Sequence, residues 1–312
     1  MKIPLCIITL ILISCTPDPS PLVQQNKEQP VTPSFTPEQV PEICSGLMES
    51  IASGDQTAFQ EQLEVCAQSK EDDILPFLLS LLEQDQIDGL VKMDLIMTVG
   101  DRGDTRAVDP LIRLLRKDFR ERKGFAGAII PALGALKAKS AVPIITEALL
   151  NTEDHWLYRN MAARALGSIG DPSATEALVT ASHIADARDD AIQALANMGD
   201  ETCIPILIEA VNSEEAPETR TAAMFGLKRL GNAAVSPIED AVINFYGEFP
   251  AVESRKMLVH VLAEIDNEQA KTALAKIAAR EDDHAVTLEA HSLIKKGKEP
   301  PVITGKYPYD AN

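Results

Sequence analysis

From Pro41 onward the apolar residues recur three and four positions apart, the spacing of one face of a helix. No stretch alternates with period two for long enough to predict a strand. The segment PEICSGLMESIASGDQTAFQEQLEVCAQS predicts two helices joined at Ser53-Gly54-Asp55, with Asp55 capping the second through its carboxylate. ILPFLLSLL (Ile74 to Leu82) and LVKMDLIMTV (Leu90 to Val99) continue in the same way.

Sliding the chain along itself shows a longer period. GDTRAVDPL begins at Gly103, KAKSAVPII at Lys137, GDPSATEAL at Gly170, GDETCIPIL at Gly199, GNAAVSPIE at Gly231 and DNEQAKTAL at Asp266. The successive spacings are 34, 33, 29, 32 and 35 residues, which is the signature of a solenoid. An arginine stands eleven residues before four of these junctions: Arg159, Arg188, Arg220 and Arg255. Each piece has a physical reason. Gly170 suits the left-handed residue that ends a helix, Asp171 can cap the next helix, and Pro172 suits its first position. Ala174 and Leu178 share a face, and Ala162 and Ala165 let neighbouring helices lie close.

These motifs resemble the HEAT family, in particular the HEAT-like repeats of phycobilisome lyases and many bacterial proteins. The resemblance is good for 157–178, 188–207 and 220–231, fair for 103–115 and 255–274, and weak for 119–137, where Gly127 and Pro131 interrupt and Lys137 replaces Gly. It implies an all-α fold, a right-handed α-solenoid of antiparallel helix pairs, about eight in all. The family's second helices line the concave surface. In the register of 157–169 the exposed ridge would be Asn160 and Arg164, followed in successive copies by Asp189 and Gln193, Thr221 and Phe225, and Lys256 and His260. Trp156, the single Trp, is a further candidate for partner contact, or it seals the core locally. The Arg column, and Asp104, Asp171 and Asp200 with Asn232 and Asn267 in register, are expected to be structural ladders and caps. Arg102-Gly103-Asp104 spells an adhesion tripeptide, but its Gly-Asp is a repeat junction.

The first residues, MKIPLCIITLILISC, carry an apolar run from Ile3 to Ile13, too short to span a bilayer and suited to a secretory signal peptide. Leu12-Ile13-Ser14-Cys15 resembles the bacterial lipobox. That resemblance implies cleavage before Cys15, acylation of its thiol and new amino group, and, with Thr16 following, delivery to the outer membrane of a Gram-negative cell. Residues 16–41 hold seven prolines and predict an extended tether. The expected organisation is thus a signal peptide over 1–14, a Pro-rich tether over 15–41, helical hairpins capping the array over 42–100, repeats over 101–296 and an extended tail over 297–312.

Composition adds constraints. Hydrophobic residues make up 45% and charged residues 24% of the 312, a folded composition, while aromatics are only 4% and Ala and Leu abound. The net charge of −18 disfavours nucleic acid as partner. In an exported protein Cys44, ten residues before Gly54, and Cys66, twelve after it, would lie at similar height in an antiparallel hairpin; a disulfide is expected, two separate buried thiols being the alternative. Cys203 stands at the small position of its repeat and is expected to be a buried free thiol. No ligand-spaced His, Cys and carboxylate set, phosphate loop or activated nucleophile is visible, so no metal, cofactor or small-molecule substrate is expected. The reading that results is a non-enzymatic, membrane-tethered protein-interaction scaffold of the cell envelope. Alternatives are a bilin lyase or isomerase, by family analogy, and a structural component of an envelope complex.

Overall fold

A computed structural model describes residues 40–151, 156–212, 216–244, 251–279 and 284–296. The expected signal peptide, Cys15, the tether and the tail all lie outside the described residues. Sixteen α-helices and no strand occur among those described. They are α1 (Ser45–Ser53), α2 (Gln56–Gln68), α3 (Ile74–Leu82), α4 (Gly89–Asp101), α5 (Val108–Glu121), α6 (Ala126–Ala135), α7 (Val142–Leu150) and α8 (Trp156–Ile169), then α9 (Thr175–Ala181), α10 (Arg188–Met198), α11 (Ile204–Val211), α12 (Pro217–Leu230), α13 (Asn232–Ile243), α14 (Val252–Ile265), α15 (Glu268–Ala278) and α16 (His284–Lys296). Each odd-numbered helix packs on the even-numbered one that follows, giving eight pairs stacked side by side.

The junctions explain why the phrase repeats. Gly103, Gly170, Gly199 and Gly231 have φ of 70°, 69°, 69° and 57°, and Lys137 and Asp266 occupy the same slot at 52° and 48°. A left-handed residue there ends one helix and aims the chain at the next. The aspartates that follow do not cap an α-helix directly, as the sequence suggested. Asp104, Asp171 and Asp200 accept from the N–H two residues on and so close a short 3-10 turn; α5, α9 and α11 begin four residues after the aspartate. Pro172 accordingly opens the 3-10 turn, and α9 starts at Thr175. Asp55 does cap α2, accepting from the N–H groups of Thr57 and Ala58. Four residues after the junctions, Ala107, Ala141, Ala174, Cys203 and Ala270 are fully buried.

The second helices form the tighter row. Every successive pair from α2 to α16 is in contact, whereas contacts between successive first helices are sparser. A stack whose two rows differ in spacing bends toward the tight one, so the second helices lie on the inside of the curve. Small residues make that spacing possible. A Cβ added to Gly100 would stand 2.7 Å from the Cβ of Ala132, on Gly134 2.9 Å from the Cα of Ala165, and on Gly167 2.7 Å from the Cα of Ala194. The weakest stretch of the sequence pattern, 119–137, nonetheless forms a regular, well-buried helix. There α6 runs through Pro131, whose ring is exposed, and the buried Asp118 carboxylate accepts from Phe125 N at 3.0 Å and Ala126 N at 2.8 Å to start the helix. Cys44 and Cys66 are bridged, with Cα atoms 5.8 Å apart, and both are fully buried between α1 and α2.

Candidate functional site: the inner face of the second helices

Six and ten residues before each junction, the second helices present side chains to the inside of the curve. Of the eight residues read from sequence, only Arg164 and Asp189 are exposed; Asn160, Gln193, Thr221, Phe225, Lys256 and His260 are half-buried. Several of them are held by polar bonds. Arg164 pairs with Asp190, and Asp189 accepts from Thr219 Oγ1 at 2.7 Å, linking α8 to α10 and α10 to α12. Lys256 pairs with Glu253 at 3.1 Å, and Lys228 of α12 reaches Glu264 of α14 at 3.0 Å. His260 Nε2 meets Glu289 Oε1 at 2.9 Å, tying α14 to α16, while its Nδ1 is buried without a hydrogen-bond partner, as is Asn160 Oδ1. Arg164, Asp189 and His260 thus brace one repeat to the next, while Gln193, Thr221 and Lys256 bond within their own helices. The side chain of Trp156, at the start of α8, lies outside the described part.

The same two positions extend back into repeats that the sequence register did not include. Before Gly103 they are Met93 and Met97, and before Lys137 they are Gly127 and Pro131. Met97 is 49% exposed and Leu90, two turns earlier on α4, 62%. Met161 and Tyr158 close over Gly127, at 3.8 Å and 3.6 Å from where its Cβ would be. The inner face is thus apolar over α4 and α6 and mostly polar from α8 on, with Phe225 of α12 the apolar exception. Counting back six and ten residues from Gly103 and Lys137 would have found the apolar half.

The expected ladders are partly continuous. Arg159 is buried and pairs with Asp186 in the next repeat, and Arg220 comes within 3.8 Å of Met257 Sδ in α14. Arg255 is 3% exposed. Arg188 departs from the pattern: it is exposed and donates to Ser182 O at 3.1 Å in its own loop. Arg188 lines a cleft of about 440 Å³ with Ser182, Ile192, Ile206 and Glu209. Asp200 accepts from Thr175 Oγ1 of the preceding repeat at 2.8 Å, and Asn267 donates to Asn232 at 2.6 Å. The Thr202 N–H and hydroxyl, then the Thr175 hydroxyl, hold the Asp200 carboxyl below its usual range; the hydroxyl and N–H of Ser173 do so for Asp171, and Arg106 for Asp104.

A second ladder escaped the sequence reading. Arg102 donates to the carbonyls of Cys66, Ala67 and Ser69 at 2.7, 2.9 and 2.8 Å, closing the end of α2. Lys137 and Arg229 do the same for Ser168 O at the end of α8 and Asn197 O at the end of α10. A cation there meets the negative end of the helix dipole. Both charged ends of Arg102-Gly103-Asp104 are thus engaged inside the fold.

Little here resembles reaction chemistry. Among the described residues no three His, Cys, Asp or Glu side chains are grouped to hold a metal ion. The buried Cys203 thiol donates to Asp200 O at 2.7 Å, and burial pushes its pKa up to about 11, so it is not a ready nucleophile.

Residues 120–190 match the family model of HEAT repeats, and residues 187–213 that of the PBS lyase HEAT-like repeat. The first match takes in the stretch around Pro131. Deoxyhypusine hydroxylase of Chaetomium globosum is 38% identical over 68 residues, which are 22% of this chain and 20% of that protein. The chain therefore spans about a fifth of that relative's length. Among solved structures, human deoxyhypusine hydroxylase in complex with glycerol aligns over 74% of this chain and 86% of its own, with 20% identity and a TM-score of 0.37. The complex of CpcE and CpcF of phycocyanin lyase from Nostoc sp. PCC7120 aligns over 90% and 99%, with 17% identity and a TM-score of 0.41. With its stacked helix pairs, left-handed junctions and these matches, the chain carries HEAT-like repeats over 120–213.

Proposed function

We propose that this chain is a non-enzymatic interaction scaffold, exported and fastened to the cell-envelope membrane through an acylated Cys15, which holds a protein partner on the inner face of the stack. One observation carries the partner site: Leu90 and Met97 stand exposed, with Met93 and Pro131 beside them, on a face that is mostly polar from α8 on. Apolar side chains left in solvent at the inside of a curve favour a partner that buries them. The fit is to an apolar segment, such as one face of a helix. The lipobox-like Leu12-Ile13-Ser14-Cys15 supports the anchor.

Two measurements test the reading. Metabolic labelling with palmitate should mark the wild-type chain and leave Cys15→Ser unlabelled; a labelled variant sinks the anchor. Affinity capture with the lipidated protein should retain a partner that Leu90→Glu/Met97→Glu loses. The Arg164→Ala/Gln193→Ala/Phe225→Ala set, on the braced half, should reduce retention less. Equal retention by all three proteins would remove the inner face from consideration. A lyase-type activity is the second reading, favoured by the match of 187–213 to the lyase-type repeat. Adding a bilin and recording its absorption spectrum separates the two, since a pigment-handling protein shifts that spectrum.

A further inference from the structure

Helix α5 sets itself apart from the rest of a strongly acidic chain. Residues 106–123 hold seven basic residues (Arg106, Arg113, Arg116, Lys117, Arg120, Arg122 and Lys123) against Asp109, Asp118 and Glu121. Asp118 is buried and engaged in starting α6, so it does not offset them at the surface. Arg113, Arg116, Lys117 and Arg120 fall at i, i+3, i+4 and i+7, a single stripe opposite the buried Leu111, Ile112 and Leu115. Over seven residues at 1.5 Å each the stripe is about 10 Å long. Lys117 has an anionic partner, Asp85 at 3.6 Å, and Lys123 meets Asp85 at 3.8 Å and Glu121 at 3.0 Å. Arg113, Arg116, Arg120 and Arg122 make no ion pair with any described residue, although carboxylates outnumber cations 47 to 29 in the chain.

Beside the stripe, where α5 and α3 splay apart on the outer row, runs a groove of about 260 Å³. Leu79 and Leu82 of α3 and Pro110 and Leu114 of α5 make its walls, and Arg113, Lys117 and Glu83 stand at its edge. An apolar channel edged by the unpaired Arg113 guanidinium, next to a stripe that continues through Arg116 and Arg120, matches an amphiphile with a negative head. Nucleic acid would use the charge and leave the groove empty. An acidic protein could use both, but Arg116 and Arg120 carry the charge along the helix beyond the groove, as a surface of repeated headgroups would engage it. The net charge of the chain is no obstacle, because beyond a Debye length of about 10 Å the other carboxylates are screened.

We infer that the outer face of α5 docks on an anionic phospholipid surface, with the Arg113, Arg116 and Arg120 stripe on headgroup phosphates and the α3–α5 groove taking up apolar lipid. The contact turns the outer row toward the membrane and leaves the inner face to solvent. It needs no acylation at Cys15 and is separable from the partner site proposed above.

The test uses the full chain carrying Cys15→Ser, floated with vesicles of phosphatidylcholine and with vesicles of equal parts phosphatidylcholine and phosphatidylglycerol. The protein should co-float with the anionic vesicles, and raising salt should release it. At about fivefold in partition per basic residue near the surface, Arg113→Gln/Arg116→Gln/Arg120→Gln should bind at least tenfold less. These side chains are exposed, so an unchanged helical spectrum will show that the variant folds. Equal binding to both vesicle types, which insertion of the apolar N-terminal run would produce, overturns the proposal. So does undiminished binding by the triple variant. Arginine-dependent binding to polyglutamate without vesicle binding would assign the stripe to an acidic protein and overturn the lipid assignment. None of these outcomes depends on whether Leu90 and Met97 hold a partner.

Discussion

Substituting Gly167 with alanine tests the packing argument most directly. Alanine is the better helix former by about 1 kcal/mol, so propensity alone predicts that Gly167→Ala stabilises α8. Packing predicts the reverse. The added Cβ would sit 2.7 Å from both the Cα and the Cβ of Ala194 in α10. Carbon atoms pack at about 3.5 Å or more, so the two helices must part by close to 1 Å at this point. Overpacking of this kind costs about 1–3 kcal/mol, and the upper end applies because the obstacle is backbone rather than a side chain that can rotate away. Subtracting the propensity gain leaves a net loss of about 2 kcal/mol. The strain also spreads, since α8 is already pressed against α6 through Gly134 and Ala165.

Urea unfolding followed by circular dichroism should show a lower midpoint, and amide exchange should rise in α8 and α10 before the terminal pairs respond. Gly89→Ala is the control. Gly89 also lies in a second helix, α4, but its Cβ would meet only Phe125 Cε1 at 3.8 Å, so stability should hold or rise. The double variant Gly167→Ala/Ala194→Gly should not recover, because the Cα of residue 194 remains in the way. A Gly167→Ala protein as stable as wild type would refute the close-approach argument for the whole inner row.

Four other outcomes follow from the geometry. Asp266→Gly removes a left-handed non-glycine residue (φ 48°) and an exposed ion pair to Lys271, so thermal unfolding should show a gain of about 0.5 kcal/mol; Gly170→Ala, with φ 69° and open space around it, should lose about 1 kcal/mol. Cutting the Cys44–Cys66 bridge, which closes a separation of 22 residues, should cost about 3 kcal/mol, seen as early urea unfolding and faster exchange of α1 and α2. Asp200→Ala should lose about 1 kcal/mol at neutral pH, as a lost cap does. Because the folded Asp200 pKa is depressed, its contribution is present above the unfolded value and vanishes as pH falls through the folded one, so wild type and variant should converge in acid melts. Lys92 is 8% exposed and burial lowers its pKa, so its charge destabilises the fold below the folded pKa and ceases to do so as pH rises toward the unfolded value. Lys92→Met should therefore unfold at a higher temperature near pH 7, with the advantage shrinking in alkali.

The architecture was legible because its requirements are local. A left-handed residue, an aspartate two positions before the N–H it satisfies, and a small residue four positions after the junction all fall within one turn of chain, and their recurrence survives Lys137 and Asp266 standing where glycine is usual. The Cys44–Cys66 pairing needed only the hairpin and the rise of a helix. What stayed hidden depends on contacts between repeats. That Arg102, Lys137 and Arg229 close the ends of neighbouring helices could not be read from one repeat, since their acceptors lie 31 to 36 residues away. The same holds for the ridge. Arg164 looks free on a helical wheel, and only the approach of α10 supplies Asp190.

That division has a consequence for locating function in a repeat of this kind. The positions that make the repeat recognisable are those buried between helices, and they are alike in every copy because each copy meets the same neighbours. A binding surface must lie in the positions that the repeat leaves unconstrained, and there a copy that departs from its neighbours carries the information. Along the inner row the departure is Met93, Met97 and Pro131, apolar where the later copies are polar apart from Phe225. Along the outer row it is the arginine stripe of α5 in a chain of net charge −18. Both departures fall on consecutive elements, α4 to α6. If one end of the stack performs the molecular contacts, the polar braces from α8 to α16 keep the other end rigid. Cutting a brace, as in Glu289→Ala opposite His260, should then lower stability at the far end and leave capture and vesicle binding unchanged.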